Sequence, residues 1–262
     1  MMIDAHCHLN DPRLVPEIEA LLAHMTDAGV GGALVVGCDV DSSRIAVELA
    51  ARYPRLLRAA VGMHPHDSQY LDDAALNALR ELGRRPEVVA FGEIGLDFHY
   101  DHSPRAAQCD AFRRQLALAR ELGLPVIIHE REAADEAMAI MDAEDGWALG
   151  GHWHCCSVDA ALACDIARHF YIGIAGWITF PKAENIRAIA RAVPLERLVI
   201  ESDAPYISPV PHRGKPNEPA YVSITAQALA QVKEVTRAHV EEITRRNTLA
   251  AFPRWACESE EA

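Results

Sequence analysis

Val88-Val89-Ala90-Phe91-Gly92-Glu93-Ile94-Gly95-Leu96-Asp97 is a long apolar run. It is followed by Ser103-Pro104 opening an amphipathic stretch that stops at Gly123, and then by a second apolar run, Pro125-Val126-Ile127-Ile128-His129-Glu130. Two buried strands with a helix between them form a parallel unit, because parallel neighbours need a long crossover while antiparallel ones need only a turn. Ser103 suits a helix cap, Pro104 the first turn and Gly123 the stop.

The same alternation extends outward in both directions. The remaining strand-like runs are Met2–His8, Gly32–Asp39, Leu57–Pro65, Trp147–Cys155, His169–Gly176 and Arg197–Pro205. Between them lie helix-like segments at Leu14–Ala28, Asp41–Tyr53, Ala74–Arg85, Ala133–Ala143, Val158–Arg168, Ala183–Ala192 and Ser223–Thr236. Eight alternations predict a closed (β/α)8 TIM barrel. An open, doubly wound sheet is the competing architecture, but no strand leads into a G-x-G-x-x-G phosphate loop. Without an interior linker, charge block or low-complexity segment, residues 1–262 read as a single domain.

Composition narrows the function classes. Half of the 262 residues are hydrophobic, which excludes a disordered chain, and the formal charge of −13 disfavours non-specific binding along a duplex. The N-terminus has no signal-peptide pattern and no apolar run is long enough to cross a bilayer, so the expected address is cytoplasmic. Seven cysteines without a C-x-x-C pair read as reduced.

The polar residues fall where a barrel places its chemistry, at the C-terminal ends of strands. The first run ends His6-Cys7-His8, the third His64-Pro65-His66, and the fourth contains Glu93 and ends at Asp97. The fifth reaches His129, the sixth His152-Trp153-His154, and the eighth Glu201-Ser202-Asp203. Strand alternation puts His6 and His8 on one face and Cys7 on the other. One such histidine is ordinary core chemistry; six strand ends carrying His, Glu or Asp point to a metal site. Imidazole and carboxylate donors suit Zn²⁺, Mn²⁺ or Mg²⁺, and more donors than one tetrahedral ion needs suggest two divalent ions roughly 3.5–4 Å apart. Glu93 is the expected bridge between them, and a shared hydroxide the expected nucleophile. Asp203 is suited both to bind an ion and to accept a proton.

At these positions the chain resembles the TatD-type metal-dependent deoxyribonucleases, a branch of the amidohydrolase-like TIM barrels. The resemblance runs in order through Ile3-Asp4-Ala5-His6-Cys7-His8-Leu9, Gly62-Met63-His64-Pro65-His66, Gly92-Glu93-Ile94-Gly95-Leu96-Asp97, Ile127-Ile128-His129, His154-Cys155, Glu201-Ser202-Asp203-Ala204-Pro205 and Arg213-Gly214-Lys215-Pro216-Asn217-Glu218-Pro219. It implies that His6, His8 and Asp203 hold one metal, that His129 and His154 hold a second, and that Glu93 bridges. His64 and His66 would face substrate, with His64 contacting phosphate. The implied reaction is phosphodiester hydrolysis in DNA, as a 3′-5′ exonuclease on a 3′ end or single strand, with no membrane or obligate protein partner.

The chain departs from the family pattern at several places. His152 adds a second histidine on the face of His154, as a supporting partner or a residue lower in the barrel. Pro216 stands where the family often has a basic residue, and acidic neighbours flank Arg131. Arg131, Arg213 and Lys215 remain candidate phosphate contacts, Arg being suited by its forked donors. Tyr100 could stack on a base, and Trp177 could wall the pocket. His99 and His102 read as loop residues, and His24, His169 and His239 as structural. The acidic tail from Glu258 reads as frayed. Two other functions compete: a binuclear hydrolase of an amide, ester or cyclic C–N bond, and a non-catalytic nucleic-acid-binding protein.

Overall fold

A computed structural model describes residues 1–255. Eight strands lie side by side in chain order, each parallel to the next. They are β1 Met2–Cys7, β2 Val30–Val36, β3 Leu57–Val61, β4 Val88–Asp97, β5 Val126–Arg131, β6 Gly151–Trp153, β7 Tyr171–Ile174 and β8 Leu198–Ile200. Around them run α1 Ile18–Asp27, α2 Val40–Arg52, α3 Asp73–Gly83, α4 Arg105–Leu122, α5 Ala134–Ala143, α6 Ala160–Ile166, α7 Glu184–Ala192, α8 Val222–Lys233 and α9 Arg237–Ala251. This is the expected (β/α)8 barrel. The tail from Glu258 lies outside the described residues.

Local chemistry sets the helix starts. Asp39 caps α2 by accepting the Ser42 N–H at 2.6 Å, while Ser42 Oγ accepts the Asp39 N–H at 2.9 Å, so two otherwise orphaned donors are satisfied reciprocally. Asp72 caps α3 and Asp159 caps α6 in the simpler one-way form.

The structure corrects several sequence-based boundaries. Only Gly151–Trp153 of the run from Trp147 is strand; Gly146–Leu149 is a 3-10 turn, and Trp147 packs its ring on Trp153. Its apolar residues serve a side-chain stack rather than the sheet. Val15–Glu17, with Pro16, likewise forms a 3-10 turn ahead of α1. Ser103 does not cap α4. Its hydroxyl donates to the His66 carbonyl and accepts the Gln69 N–H, and Pro104 occupies the cap position. The α9 helix was not expected, because its sequence is rich in charged residues around a narrow apolar stripe.

Most apolar side chains fill the layer between sheet and helices. A smaller cluster fills the barrel itself: Ile3, Leu34, Val36, Val89 and Ile127 pack with Phe252 and Trp255, which follow α9. The chain's last described segment therefore plugs the end of the barrel remote from the strand C-termini. Asn247 of α9 ties that plug to the sheet, donating to the carbonyls of Leu195 and Leu198.

Between β8 and β1 the barrel is joined by few backbone bonds. Asp203 N–H donates to the His6 carbonyl at 2.9 Å and His8 N–H to the Ala204 carbonyl at 2.7 Å. The fully buried Asp4 carboxyl accepts the Ser202 N–H at 2.8 Å and pairs with the Ser202 hydroxyl at 2.5 Å. Burial pushes this carboxyl up to about 8, so it is largely neutral at physiological pH.

Candidate metal centre

β1 delivers His6 and His8 to the mouth from one face, as strand alternation requires. His8 Nδ1 lies 3.0 Å from the Val36 carbonyl oxygen. That contact places the ring proton on Nδ1 and leaves Nε2 as a free donor pair. β4 delivers Glu93 and β5 delivers His129, in a register that sets Gly95 opposite His129. The approach is close enough that only glycine fits at 95. Its φ is +141°, and an added Cβ would stand 2.0 Å from the His129 carbonyl oxygen. His154 follows β6, and Asp203 follows β8.

These side chains converge on Glu93, whose two carboxylate oxygens face different partners. His6 Nε2 is 3.2 Å from His8 Nε2 and 3.4 Å from Glu93 Oε2, and His8 Nε2 is 3.4 Å from Asp203 Oδ1. Those separations match the edges of a tetrahedron with metal–ligand bonds of about 2.0–2.1 Å. On the other side, Glu93 Oε1 lies 2.6 Å from His129 Nδ1 and 3.8 Å from His154 Nε2. His154 Nε2 is also 3.6 Å from Asp203 Oδ1. Overlapping donor sets thus share this carboxylate, His6 and His154 in one and His129 in a second, and imidazole and carboxylate donors at these spacings are able to hold a divalent ion.

His64 belongs to this second group by distance. Its Nε2 lies 3.3 Å from His129 Nδ1 and 3.8 Å from Glu93 Oε1. His66 instead turns to Asp97, with Nε2 2.9 Å from Oδ2. Asp97 was given no role from the sequence, yet its Oδ2 also lies 3.2 Å from His129 Nε2, and its Oδ1 accepts the His99 and Tyr100 N–H groups. His129 is therefore held between two carboxylates. Glu201 was also missed. Its Oε2 lies 2.9 Å from His154 Nδ1 and 3.0 Å from His152 Nε2, and its Oε1 accepts the Cys155 N–H at 2.8 Å. His152 is thus a fully buried partner of Glu201, deeper in the barrel against the Phe252 ring. Period two could have found both acids, since Asp97 shares the face of Glu93 on β4 and Glu201 sits two residues before Asp203.

The electrostatics follow from this geometry. Burial opposes charge on His129, but Asp97 and Glu93 override it and raise its pKa to about 9. His154 also reaches about 9 against burial, through Glu201, Glu93 and Asp203. Burial and the nearby His154 lower His6 to about 4, so its ring is neutral. Burial alone would raise Glu93, but the surrounding imidazoles hold it well below the usual carboxylate range. Metal ligation needs neutral imidazole and ionised carboxylate, and His6 and Glu93 are already in those states.

Two adjoining cavities open onto the donors. One, about 510 Å³, is bounded by His8, His64, His66, Glu93, Asp203 and the half-exposed Tyr100 and Tyr206. The other, about 400 Å³, shares His129, His154 and Asp203 with the first and extends to Trp177 and Asn185. Arg131 lines both, its guanidinium 4.8 Å over the Tyr100 ring. Arg213 lines neither; it lies 4.2 Å over the Phe180 ring in a further cavity. Lys215 is exposed and lines neither of the two mouth cavities. His99 pairs with Glu132, and His24 with Glu218.

Backbone strain marks the same mouth. Cys155, Asp203 and Ile207 all have positive φ, a conformation costly for non-glycine residues and most so for a β-branched one. All three line the cavity beside His154.

Comparison with known proteins bears on the same residues. A family profile described as TatD related DNase matches residues 3–253. A Bacillus subtilis protein named as an uncharacterized metal-dependent hydrolase, YabD, is 36% identical over 253 residues, covering 96% of this chain and 99% of its own. The 3′-5′ ssDNA/RNA exonuclease TatD of Edwardsiella piscicida is 33% identical over 261 residues, covering 96% and 99%. Among solved structures, the TatD homologue YjjV of Escherichia coli K12 superposes with a TM-score of 0.90 at 31% identity, covering 96% of this chain and 98% of YjjV. With barrel, family match and donor cluster in agreement, the chain belongs to the TatD-related DNase family of metal-dependent hydrolases.

Proposed function

We propose that the chain is a two-metal phosphodiesterase that trims single-stranded DNA from its 3′ end. The observation that carries this reading is the split of Glu93, with Oε2 toward His6 and Oε1 toward His129. On this reading His6, His8 and Asp203 would hold one divalent ion and His129 and His154 the other, with Glu93 offering a carboxylate oxygen to each. Bound there, Zn²⁺, Mg²⁺ or Mn²⁺ supplies Lewis acidity toward water and phosphate.

The chain's own groups do the rest. Asp203 faces the cavity and takes the proton of the attacking water. Glu201 holds His154 by its Nδ1 and so keeps Nε2 aimed at the centre. Arg131 and His66 line the approach and bind the phosphate oxygens, with Arg131 oriented by the Tyr100 ring. His64, 3.3 Å from His129, contacts the same phosphate or supports the second ion. The Edwardsiella relative, named as a 3′-5′ ssDNA/RNA exonuclease, agrees with this substrate class. The six described cysteines are all free, which suits the reducing cytoplasm.

The test uses EDTA-treated protein reloaded with Mg²⁺, Mn²⁺ or Zn²⁺ and given 3′-labelled single-stranded oligonucleotides beside model esters and amides. Metal-dependent nucleotide release that disappears in Glu93→Ala supports the proposal. Ester or amide turnover with intact oligonucleotide would transfer the reading to a binuclear amidohydrolase, and tight binding without turnover to a non-catalytic protein. Asp203→Asn should keep most of the bound metal and lose most of the turnover.

A further inference from the structure

Beyond the metal centre, the wall made by residues 177–186 and the loop carrying Arg213 encloses a third cavity of about 390 Å³. Its lining includes Trp177, Phe180, Lys182, Asn185 and Arg213. Trp177 and Asn185 also line the cavity that contains His129, His154 and Asp203, so the two spaces adjoin across these side chains.

Its chemistry differs from that of the rest of the surface. In a chain of charge −13, no carboxylate among the described residues lines it. Glu184, the one acid in the adjoining run, is bound to Arg187 and Arg191. Among the described residues neither Lys182 nor Arg213 has a carboxylate within 4.0 Å, whereas Arg80, Arg105, Arg114 and Arg237 are all paired. The two aromatic side chains are partly buried, so they form fixed walls rather than mobile surface groups. Phe180 in turn orients the Arg213 guanidinium, which lies 4.2 Å over its ring.

Aromatic walls beside unpaired cations select a flat π-system attached to an anion. Single-stranded nucleic acid supplies both, since every base offers a stacking face and every linkage a phosphate. We propose that this cavity is a nucleobase subsite, holding a base near the scissile bond against Trp177 and Phe180 while Arg213 and Lys182 neutralise an adjoining phosphate. The assignment rests on the phosphodiesterase reading above and extends it. Stacking is indifferent to base identity, so the subsite confers a demand for single-stranded, unstacked bases rather than for a sequence.

The test measures binding apart from turnover. Fluorescein-labelled oligothymidylate is titrated by anisotropy into the EDTA-treated protein and into Phe180→Ala, Phe180→Tyr and Arg213→Gln. A matching series of oligonucleotides carries one abasic position moved along the strand. Phe180→Ala and Arg213→Gln should weaken binding about 5- to 100-fold, and Phe180→Tyr should restore it. One abasic position should reproduce the loss in the native protein and add nothing to Phe180→Ala. Arg213 is exposed, so its variant reports even if Phe180→Ala fails to fold. Native affinity in Phe180→Ala and Arg213→Gln, indifference to every abasic position, or no binding by the native protein overturns the subsite. The same strands are assayed for cleavage with metal restored. Cleavage that ignores Phe180 and the abasic positions refutes the subsite alone, while Phe180-dependent binding without cleavage refutes the hydrolytic reading alone.

Discussion

Loading divalent ions into this centre should expel protons, and three histidines set the number: His8, held well above its ordinary value by Cys38 and Asp203 against burial, His129 and His154. His129 titrates at about 9 because, against burial, Asp97 and Glu93 stabilise its charge. His154 titrates at about 9 because Glu201, Glu93 and Asp203 do the same. At pH 7 these rings are mostly protonated, and ligation requires the neutral form. Binding should therefore release about three protons at pH 7 from these rings and fewer at pH 9, where His129 and His154 are near half protonated. Calorimetry in buffers of different ionisation enthalpy reads the number as a slope. A bound water losing its own proton adds to both values, so Glu201→Gln supplies the decisive comparison. It removes the strongest of the influences that raise His154, and the slope at pH 7 should fall by up to about one proton. A native slope near zero, or one unchanged in Glu201→Gln, refutes this charge assignment.

The same shifts fix how the EDTA-treated protein responds to pH. His129 and His154 lie above their ordinary value, so their contribution to stability is full below pH 6.5 and lost as pH rises through about 9. Asp4, raised to about 8, acts in the same direction from about pH 4 upward, while Glu93 and Glu201, held low, lose theirs as pH falls. Its melting temperature should peak at mildly acidic pH and fall toward pH 9; a rise over that interval contradicts the assignment. At Gly173, an added methyl would stand 2.3 Å from Glu201 Oε1 and 2.5 Å from His152 Nε2. Gly173→Ala should cost about 1–3 kcal/mol in urea unfolding and weaken metal binding, and unchanged stability would show that the site yields. Because Asp4 is largely neutral, Asp4→Asn should be tolerated within about 1 kcal/mol and flatten the stability profile between pH 4 and 8. Asp4→Ala, which leaves Ser202 unsatisfied, should cost about 1–3 kcal/mol; equal losses in both variants would count against a neutral acid. Arg131, Lys182 and Arg213 together predict a salt slope of about −2 for single-strand binding, or about a 16-fold loss between 50 and 200 mM salt. A slope steeper than about −5 would reveal a longer basic track elsewhere.

The barrel was legible because its strands are buried on both faces, so they stand out as apolar runs separated by amphipathic stretches. β6 was blurred because Trp147 carries as much apolar surface as a strand residue but spends it on stacking against Trp153. α9 was invisible because its stability comes from a few anchors. Asn247 reaches two carbonyls of the β8 region, and Phe252 and Trp255 enter the barrel, contacts that no local periodicity encodes. At the mouth, His6, His8, Glu93, His129, His154 and Asp203 could be singled out because strand ends repeat a recognisable pattern. Their supporting acids sat in the same quoted runs, yet only three-dimensional proximity shows that Glu201 lies within 3.0 Å of two histidines and that Asp97 bonds another two. Arg213 shows the converse: its place in the sequence after β8 suggests the metal mouth, whereas stacking on Phe180 carries it to a neighbouring cavity.

Fold and site share one seam, which accounts for a buried acid that otherwise has no obvious use. β8 ends at Ile200, and no paired ladder continues between it and β1. Glu201 must instead point inward to His152 and His154, and Asp203 must enter the left-handed region to face His8. Backbone bent in that way leaves the Ser202 N–H without a ladder acceptor in a place closed to water. Asp4 supplies the acceptor from β1 and takes the Ser202 hydroxyl as well. An unpaired donor there would cost about 1–3 kcal/mol, so the buried carboxyl is the less expensive arrangement provided it stays neutral. The β1–β8 closure is thus a side-chain bridge made necessary by the turn that brings Asp203 to the centre. Weakening Asp4 should therefore move Asp203 before it unfolds the barrel.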